Sequence, residues 1–153
     1  MDTLNSSSRP IREYQDTDLN ALLTAWEKAF RLAHPFMNDE FIAKVRTDIP
    51  TLYIPNTETL VCEQAGKVMG FISLMGNEIA ALFVDPDWHG KGHGRGLVDK
   101  ACTMREGDLT VEVFKANPIG RKFYQAYGFE YVSEYIFEGV DEIVLKLKFS
   151  RSS

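Results

Sequence analysis

The stretch Trp88–Leu97 reads WHGKGHGRGL. Glycines at 90, 92, 94 and 96 alternate with Lys91, His93 and Arg95, and His89 precedes them. Glycine lets a backbone turn sharply and come close to a ligand. A helix starting here offers unpaired amides and the positive end of its dipole. The chemistry of such a loop is anion binding, and its charge suits a pyrophosphate. The dinucleotide pattern G-x-G-x-x-G is not met: position 95 is arginine after Gly90-x-Gly92, and position 97 is leucine after Gly92-x-Gly94. The G-x-x-x-x-G-K-[ST] pattern is absent too. A flexible loop with no ligand is the plain alternative.

The elements that must position this loop follow from periodicity. IREYQ (11–15) alternates like a strand. Asp16-Thr17-Asp18 signals a helix start, and apolar residues at 19, 22, 23, 26, 29, 30 and 33 have helical spacing. That helix ends near His34-Pro35, because the residue before proline resists helical geometry. Asn38 caps a second helix over 39–48, with Pro50 beyond its end. Strands follow at 59–64, 68–75 and 78–85, joined by turns at Gly66-Lys67 and Gly76-Asn77, which implies an antiparallel meander. After Pro86 and the glycine loop comes a helix carrying Leu97, Val98, Ala101 and Cys102, ending at Glu106-Gly107. LTVEVF (109–114) is a strand. Asn117-Pro118 opens a helix that Gly128 stops. The last strands are 129–138 and 142–149. The order β-α-α-β-β-β-α-β-α-β-β gives one α/β (α+β) domain over 10–149 with a mixed sheet. The expectation is a disordered tail over 1–9 and a short tail over 150–153.

Composition narrows the function. The chain has 153 residues, 44% apolar and 25% charged, as in ordinary globular proteins. A net charge of −5 speaks against general affinity for nucleic acid or anionic membrane. No apolar run approaches the ~20 residues of a membrane span, and the N-terminus lacks a secretory core. Cys62 and Cys102 have no metal or redox spacing, so no metal is expected and a cytoplasmic, reduced state is the default. Cys62, between Val61 and Glu63, reads as a small buried residue.

VDPDWHGKGHGRGL (84–97) resembles motif A of the GCN5-related N-acetyltransferases (GNAT). That pattern, Gln/Arg-x-x-Gly-x-Gly/Ala after a strand ending Val-x-Pro, falls on His89 to Gly94, with His89 replacing Gln/Arg. NPIGRKFYQAYGF (117–129) resembles motif B, Asn-x6-Tyr followed by Gly-Phe. With the order of elements, the resemblance spans about 10–149. It implies a mostly antiparallel sheet with about four helices, splayed between strands 78–85 and 109–114 to hold acetyl-CoA.

The resemblance also assigns roles. The loop His89, Gly90, Lys91, Gly92, His93, Gly94 and Arg95 holds the pyrophosphate. The backbone of Leu82, Phe83 and Val84 pairs with the pantetheine arm, and Asn117 and Tyr124 contact it from the other wall. Asn117 is also a helix cap. Tyr124 is the general acid for the leaving thiolate, or else a core aromatic beside Phe123 and Tyr127. Glu78 is the first candidate base. Alternation places it on the face of Ala80, Leu82 and Val84 unless a bulge intervenes. Glu112 is the second candidate base, or a solvent-facing charge. His34 and Phe36, in AHPFM, border the acceptor pocket; His34 also reads as a helix C-terminal residue. From Phe123 to Leu145 there is no Lys or Arg but five acids: Glu130, Glu134, Glu138, Asp141 and Glu142. They form a rim that attracts a cationic amine, or a solvated strand face. The implied activity is acetyl transfer from acetyl-CoA to a primary amine, of a small molecule or of a peptide or protein, by direct attack in a ternary complex. A non-catalytic acyl-CoA-binding module is the alternative, and the family's habit of dimerising leaves a homodimer open.

Overall fold

The computed structural model describes residues 10–151; the expected N-terminal tail and the last two residues lie outside them. Seven strands form one sheet: β1 (Ile11–Glu13), β2 (Glu58–Gln64), β3 (Lys67–Met75), β4 (Glu78–Val84), β5 (Leu109–Phe114), β6 (Glu130–Phe137) and β7 (Glu142–Phe149). Their spatial order is β1-β2-β3-β4-β5-β7-β6. Only β4 and β5 run parallel, as expected where the intervening chain contains a helix and not a hairpin.

The helices are α1 (Leu19–Ala33), α2 (Asp39–Asp48), α3 (His93–Met104) and α4 (Pro118–Tyr127). α1 buries Leu22, Leu23, Trp26, Ala29, Phe30 and Ala33, the stripe set by its spacing. With α2 it covers one sheet face over Val61, Val68 and Phe71. α3 and α4 cover the other face, where Leu97, Val98, Ala101 and Tyr124 pack against Ile72, Leu74, Ile79 and Val113. Trp26, 2% exposed, belongs to the core.

One local expectation is corrected. The β2–β3 turn centres on Ala65-Gly66, both at positive φ (55° and 76°), so Lys67 already belongs to β3. Two left-handed residues match the twist of a tight hairpin. α2 ends at Asp48 with Pro50 beyond it, as expected, but the chain goes on helical past that end. Pro50 occupies the first turn of a π-helical segment over Ile49–Tyr53, followed by a 3-10 turn over Ile54–Asn56. A proline in a first turn lacks only an amide that would be unpaired anyway. Asn38 caps α2 as expected, accepting from the Phe41 amide at 2.7 Å.

Gly70 in β3 lies opposite Val84 at the end of β4. A Cβ there would come within 2.9 Å of the Phe83 carbonyl oxygen and 3.1 Å of Val84 Cγ2. Gly70→Ala is expected to lower stability by about 1–3 kcal/mol. Chemical denaturation checks this; unchanged stability would mean that β3 and β4 have slack at this point.

Candidate active site

Strand β4 does not stay with β5. Their pairing consists of Glu78↔Thr110 and Ile79↔Val111 and then stops. β5 meanwhile remains paired with β7 as far as Phe114↔Val144. The cause lies on the other side of β4. The register against β3 shifts between Ser73↔Ala81 and Leu74↔Ile79, leaving Ala80 as an extra residue. Such a bulge bends its strand. Beyond it the strands diverge around a cleft of about 190 Å³ lined by β4, the end of β5, α1 and α4.

The bulge also reverses side-chain parity. Ile79, Leu82 and Val84 share the α3–α4 face, whereas Ala81 and Phe83 face α1. Glu78 therefore lies on the face of Ala81 and Phe83, not with Leu82 and Val84 as strict alternation implied. The sequence held a signal: the large apolar residues Ile79 and Leu82 are three apart, which an unbroken strand cannot place on one face.

The backbone of β4 is sorted by the same ladder. The Asp85 amide donates to the Met69 carbonyl at 2.7 Å. Bonded and non-bonded pairs alternate in an antiparallel ladder. Phe83 thus spends its peptide groups on Phe71, and those of Leu82 and Val84 point toward the cleft. Of the three residues expected to pair with a pantetheine arm, Phe83 is excluded for this reason. Val84 is half committed, since its carbonyl accepts from His89 Nε2 at 2.7 Å. His89 therefore pins the glycine loop to the end of β4.

Beyond His89, Gly90 and Gly92 have φ of 77° and 86°, the left-handed region that favours glycine. Nothing would lie within 4 Å of a Cβ on Gly90. Gly92 is the N-cap of α3, and its carbonyl accepts from the Gly96 amide at 2.9 Å. The amides of the first turn, through Gly94 and Arg95, have no carbonyl four residues back within the helix. Gly94 has a second reason to be glycine: a Cβ would meet the Phe123 ring at 3.1 Å. The Arg95 guanidinium lies 4.9 Å over the Tyr127 ring, whose hydroxyl donates to Asp99 at 2.6 Å. Lys28 of α1 bridges Asp85 (2.9 Å) and Asp87 (3.0 Å), tying the turn before the loop to α1. His93 is buried, with its Nδ1 3.5 Å from the Sγ of fully buried Cys62. The fold thus gives Cys62 a histidine neighbour 31 residues away that sequence proximity did not show.

On the opposite wall, Asn117 caps α4: its Oδ1 accepts from the Gly120 amide at 2.9 Å. Its Nδ2 lies 3.4 Å from His34 Nε2. His34 Nδ1 lies 2.9 Å from the Phe30 carbonyl, which can only accept, so Nδ1 carries the proton and Nε2 is bare. Burial lowers the His34 pKa to about 4, against the Phe30 carbonyl, so the ring is neutral at physiological pH. Tyr124 lines the cleft while 6% exposed, and its hydroxyl bonds to no described residue. Burial raises its pKa, so it remains a proton donor across the working range.

The α1 side of the cleft is acidic. Glu112 lines it, flanked on the same face of β5 by Thr110 and Phe114. The Tyr135 hydroxyl of β6 donates to Glu112 Oε1 at 2.8 Å. Burial, with Glu112 and then Glu78 nearby, pushes this hydroxyl up to about 12. Glu78 thus sits close to the pair but outside the lining. Phe36 also stands behind the lining, edge-on to His34 and Phe114. Neither Tyr135 nor its bond to Glu112 was foreseeable from spacing, because β6 reaches β5 only through β7. Among the described residues, no group of three His, Cys, Asp or Glu could hold a metal, and no helix is long and apolar enough to cross a membrane.

Known proteins share this architecture. Residues 55–131 match the family described as Acetyltransferase (GNAT) domain. The chain is 34% identical over 123 residues to the peptidyl-lysine N-acetyltransferase YiaC of Escherichia coli, covering 80% of this chain and 84% of that one. It is 30% identical over 121 residues to the E. coli peptidyl-lysine N-acetyltransferase YjaB, covering 78% and 81%. The solution structure of apo-form YjaB superposes with a TM-score of 0.81 at 27% identity, over 92% of this chain and 97% of that one. The PaiA N-acetyltransferase of Thermoplasma acidophilum, crystallised with coenzyme A, has the same fold, with a TM-score of 0.70 at 19% identity over 91% and 98%. The family match over residues 55–131 and the similarity to these N-acetyltransferases over most of both chains settle the family: the chain belongs to the GNAT acetyltransferase family and is an acetyl-CoA-dependent N-acetyltransferase.

Proposed function

We propose that the chain, acting as one catalytic domain over 10–149, acetylates lysine side chains exposed on peptides or proteins. One observation supports this most: the cleft runs from His89, at the root of the glycine loop, to an acidic mouth at Glu112, where an ammonium group is attracted. The names of the similar E. coli proteins point to the same acceptor.

The residues divide the work. The first-turn amides of α3, with Gly90 to Arg95, hold the pyrophosphate, and His89 fixes the loop. The cleft-facing peptide groups of Leu82 and Val84 hold the pantetheine arm as an added strand does, and Asn117 meets it from α4. Bound acetyl-CoA supplies an acetyl thioester. The Tyr124 hydroxyl, protonated and unengaged, gives its proton to the departing sulfur. Glu112, which lines the cleft, takes the proton from the incoming ammonium, directly or through water. A free lysine amine, of pKa ~10.4, needs this help near neutral pH. Glu78, one step behind, adds negative potential instead of serving as the base. His34 forms the wall at the acceptor end, with Phe36 packed behind it against the ring. Cys62 and Cys102 form no disulfide with one another, which fits a cytoplasmic setting. A homodimer would form along β6, an edge strand exposed over its whole length.

Calorimetric titration with acetyl-CoA, with ATP and NAD as controls, tests the donor. Binding of acetyl-CoA alone is expected; no binding by folded protein would sink the reading. Tyr124→Phe is expected to keep acetyl-CoA affinity while turnover on a lysine peptide falls at least about tenfold. Unchanged turnover would remove Tyr124 as the acid. Glu112→Gln is expected to slow turnover at pH 7 by at least about tenfold, with recovery toward pH 10 as the amine loses its own proton. A loss of equal size at every pH would give Glu112 a role other than base.

Neutral His34 adds a pH signature to stability. Its pKa is depressed in the fold, so between about pH 6.5 and 4 the unfolded chain binds the extra proton. Its contribution is complete above pH 6.5 and falls by about 3 kcal/mol as pH drops to 4. Denaturation of the wild type and of His34→Leu across this window checks it. The variant should lose that part of the slope, and identical slopes would contradict the assignment.

A further inference from the structure

We propose that His34 is a positioning residue: its bare Nε2 orients the Asn117 carboxamide so that a side-chain N–H of Asn117 faces the acyl donor. The proposal rests on the reading above that Asn117 borders the pantetheine arm.

Four observations carry it. Asn117 is 7% exposed yet lines the cleft. Its Oδ1 is consumed by the Gly120 amide at 2.9 Å, so only its two N–H groups remain. One of them is directed at His34 Nε2, 83 residues away in sequence, and the other is left for the cleft. Finally, Gly120 leaves space for this amide, since a Cβ there would lie 2.6 Å from Asn117 Nδ2.

His34 is itself held firmly. Its Nδ1–H donates to the Phe30 carbonyl at 2.9 Å, and its ring is packed against Phe30, Phe36 and Phe114. The chain of bonds therefore runs from the last turn of α1, through His34 and Asn117, to the first turn of α4. The His34–Asn117 distance of 3.4 Å is long for a hydrogen bond, as such contacts often are before a ligand closes the site. Its value lies in direction. The ring offers only a lone pair on this side, so it accepts an N–H and rejects the amide turned over. The free N–H of Asn117 then suits a carbonyl oxygen, the group that both an amide and a thioester present.

The two isosteric halves of the imidazole separate this role from a structural one. Glutamine places its amide near the Nε2 position and can accept from Asn117. Asparagine places its amide near Nδ1 and keeps only the bond to Phe30. His34→Gln is expected to retain at least about ten times the kcat of His34→Asn on a lysine peptide at saturating acetyl-CoA. In an Asn117→Ala background the two should become equal, because the partner is gone. Nitrogen-15 spectra of the histidines should show His34 in the neutral Nδ1–H form at pH 6. An Nε2–H tautomer would overturn the proposal. So would a His34→Asn variant as active as His34→Gln, or a gap that persists without Asn117. If neither variant folds, the wild-type spectrum decides alone. Failure of the underlying reading shows separately, as wild-type protein that does not bind acetyl-CoA while its histidine spectrum is as expected.

Discussion

The structure turns on a pairing that is not made. A sheet gains from continuing its ladder, and an exposed strand edge leaves unpaired peptide groups. β4 and β5 nevertheless part after two residue pairs. The extra residue at Ala80 bends β4 toward β3, and β5 follows β7 instead. The unpaired edge is then a fixed row of donors and acceptors inside a cleft. It can recognise an extended, amide-bearing ligand without any particular side chain. The bulge that creates this edge also turns Glu78 and Phe83 to the α1 face and leaves Leu82 and Val84 on the other. One inserted residue thus opens the cleft and decides which side chains stand at each end.

Both ends of the cleft depend on ties to other elements. The glycine loop cannot hold itself, because residues chosen for freedom of φ carry a high entropy of ordering. It is fixed at its root. His89 bonds to Val84, Lys28 bridges Asp85 and Asp87, and buried His93 packs edge-on against Trp88. The backbone in between remains open to an anion. On the far side, Tyr124, His34 and Asn117 are all nearly buried, so their geometry is set by packing and not by solvent. The acidic mouth differs, since Glu112 is exposed and its restraint comes from the Tyr135 hydroxyl. The result is a polarity gradient from cationic loop to anionic mouth, with neutral donors and acceptors between.

Much of the framework was legible in the sequence because it is local. Strands 109–114 and 142–149 have the expected bounds, and Asn38, Asn117 and Gly128 act as the expected caps and stop. Each depends on residues within a few positions. What was not legible has a different cause. Pro50 stands beyond the end of α2 as expected, but a proline does not exclude a new helical turn that starts at it, and one does. Alternation fixes a face only if no residue is extra, and Ala80 is. Glu112 reads as a second candidate base or a solvent-facing charge, and it is exposed; its partner Tyr135 was hidden because β6, which supplies it, lies two strands away in space. His34 reads as either a helix end or a pocket residue, and the fold makes it both. Its two nitrogens serve different elements.

That double use of His34 explains why a histidine stands at this point. A helix ending before proline needs its carbonyls satisfied, and many polar residues would do that. The residue here must also place a second, oppositely directed hydrogen-bonding atom across a rigid ring, and only an acceptor works beside an amide N–H. A charged ring would defeat the purpose, because both nitrogens would then donate. The apolar ring cluster of Phe30, Phe36 and Phe114 prevents this by making the charged form costly. The aromatics of AHPFM and of β5 therefore do more than fill the core. They set the protonation of an imidazole, which sets the orientation of an amide on the other wall.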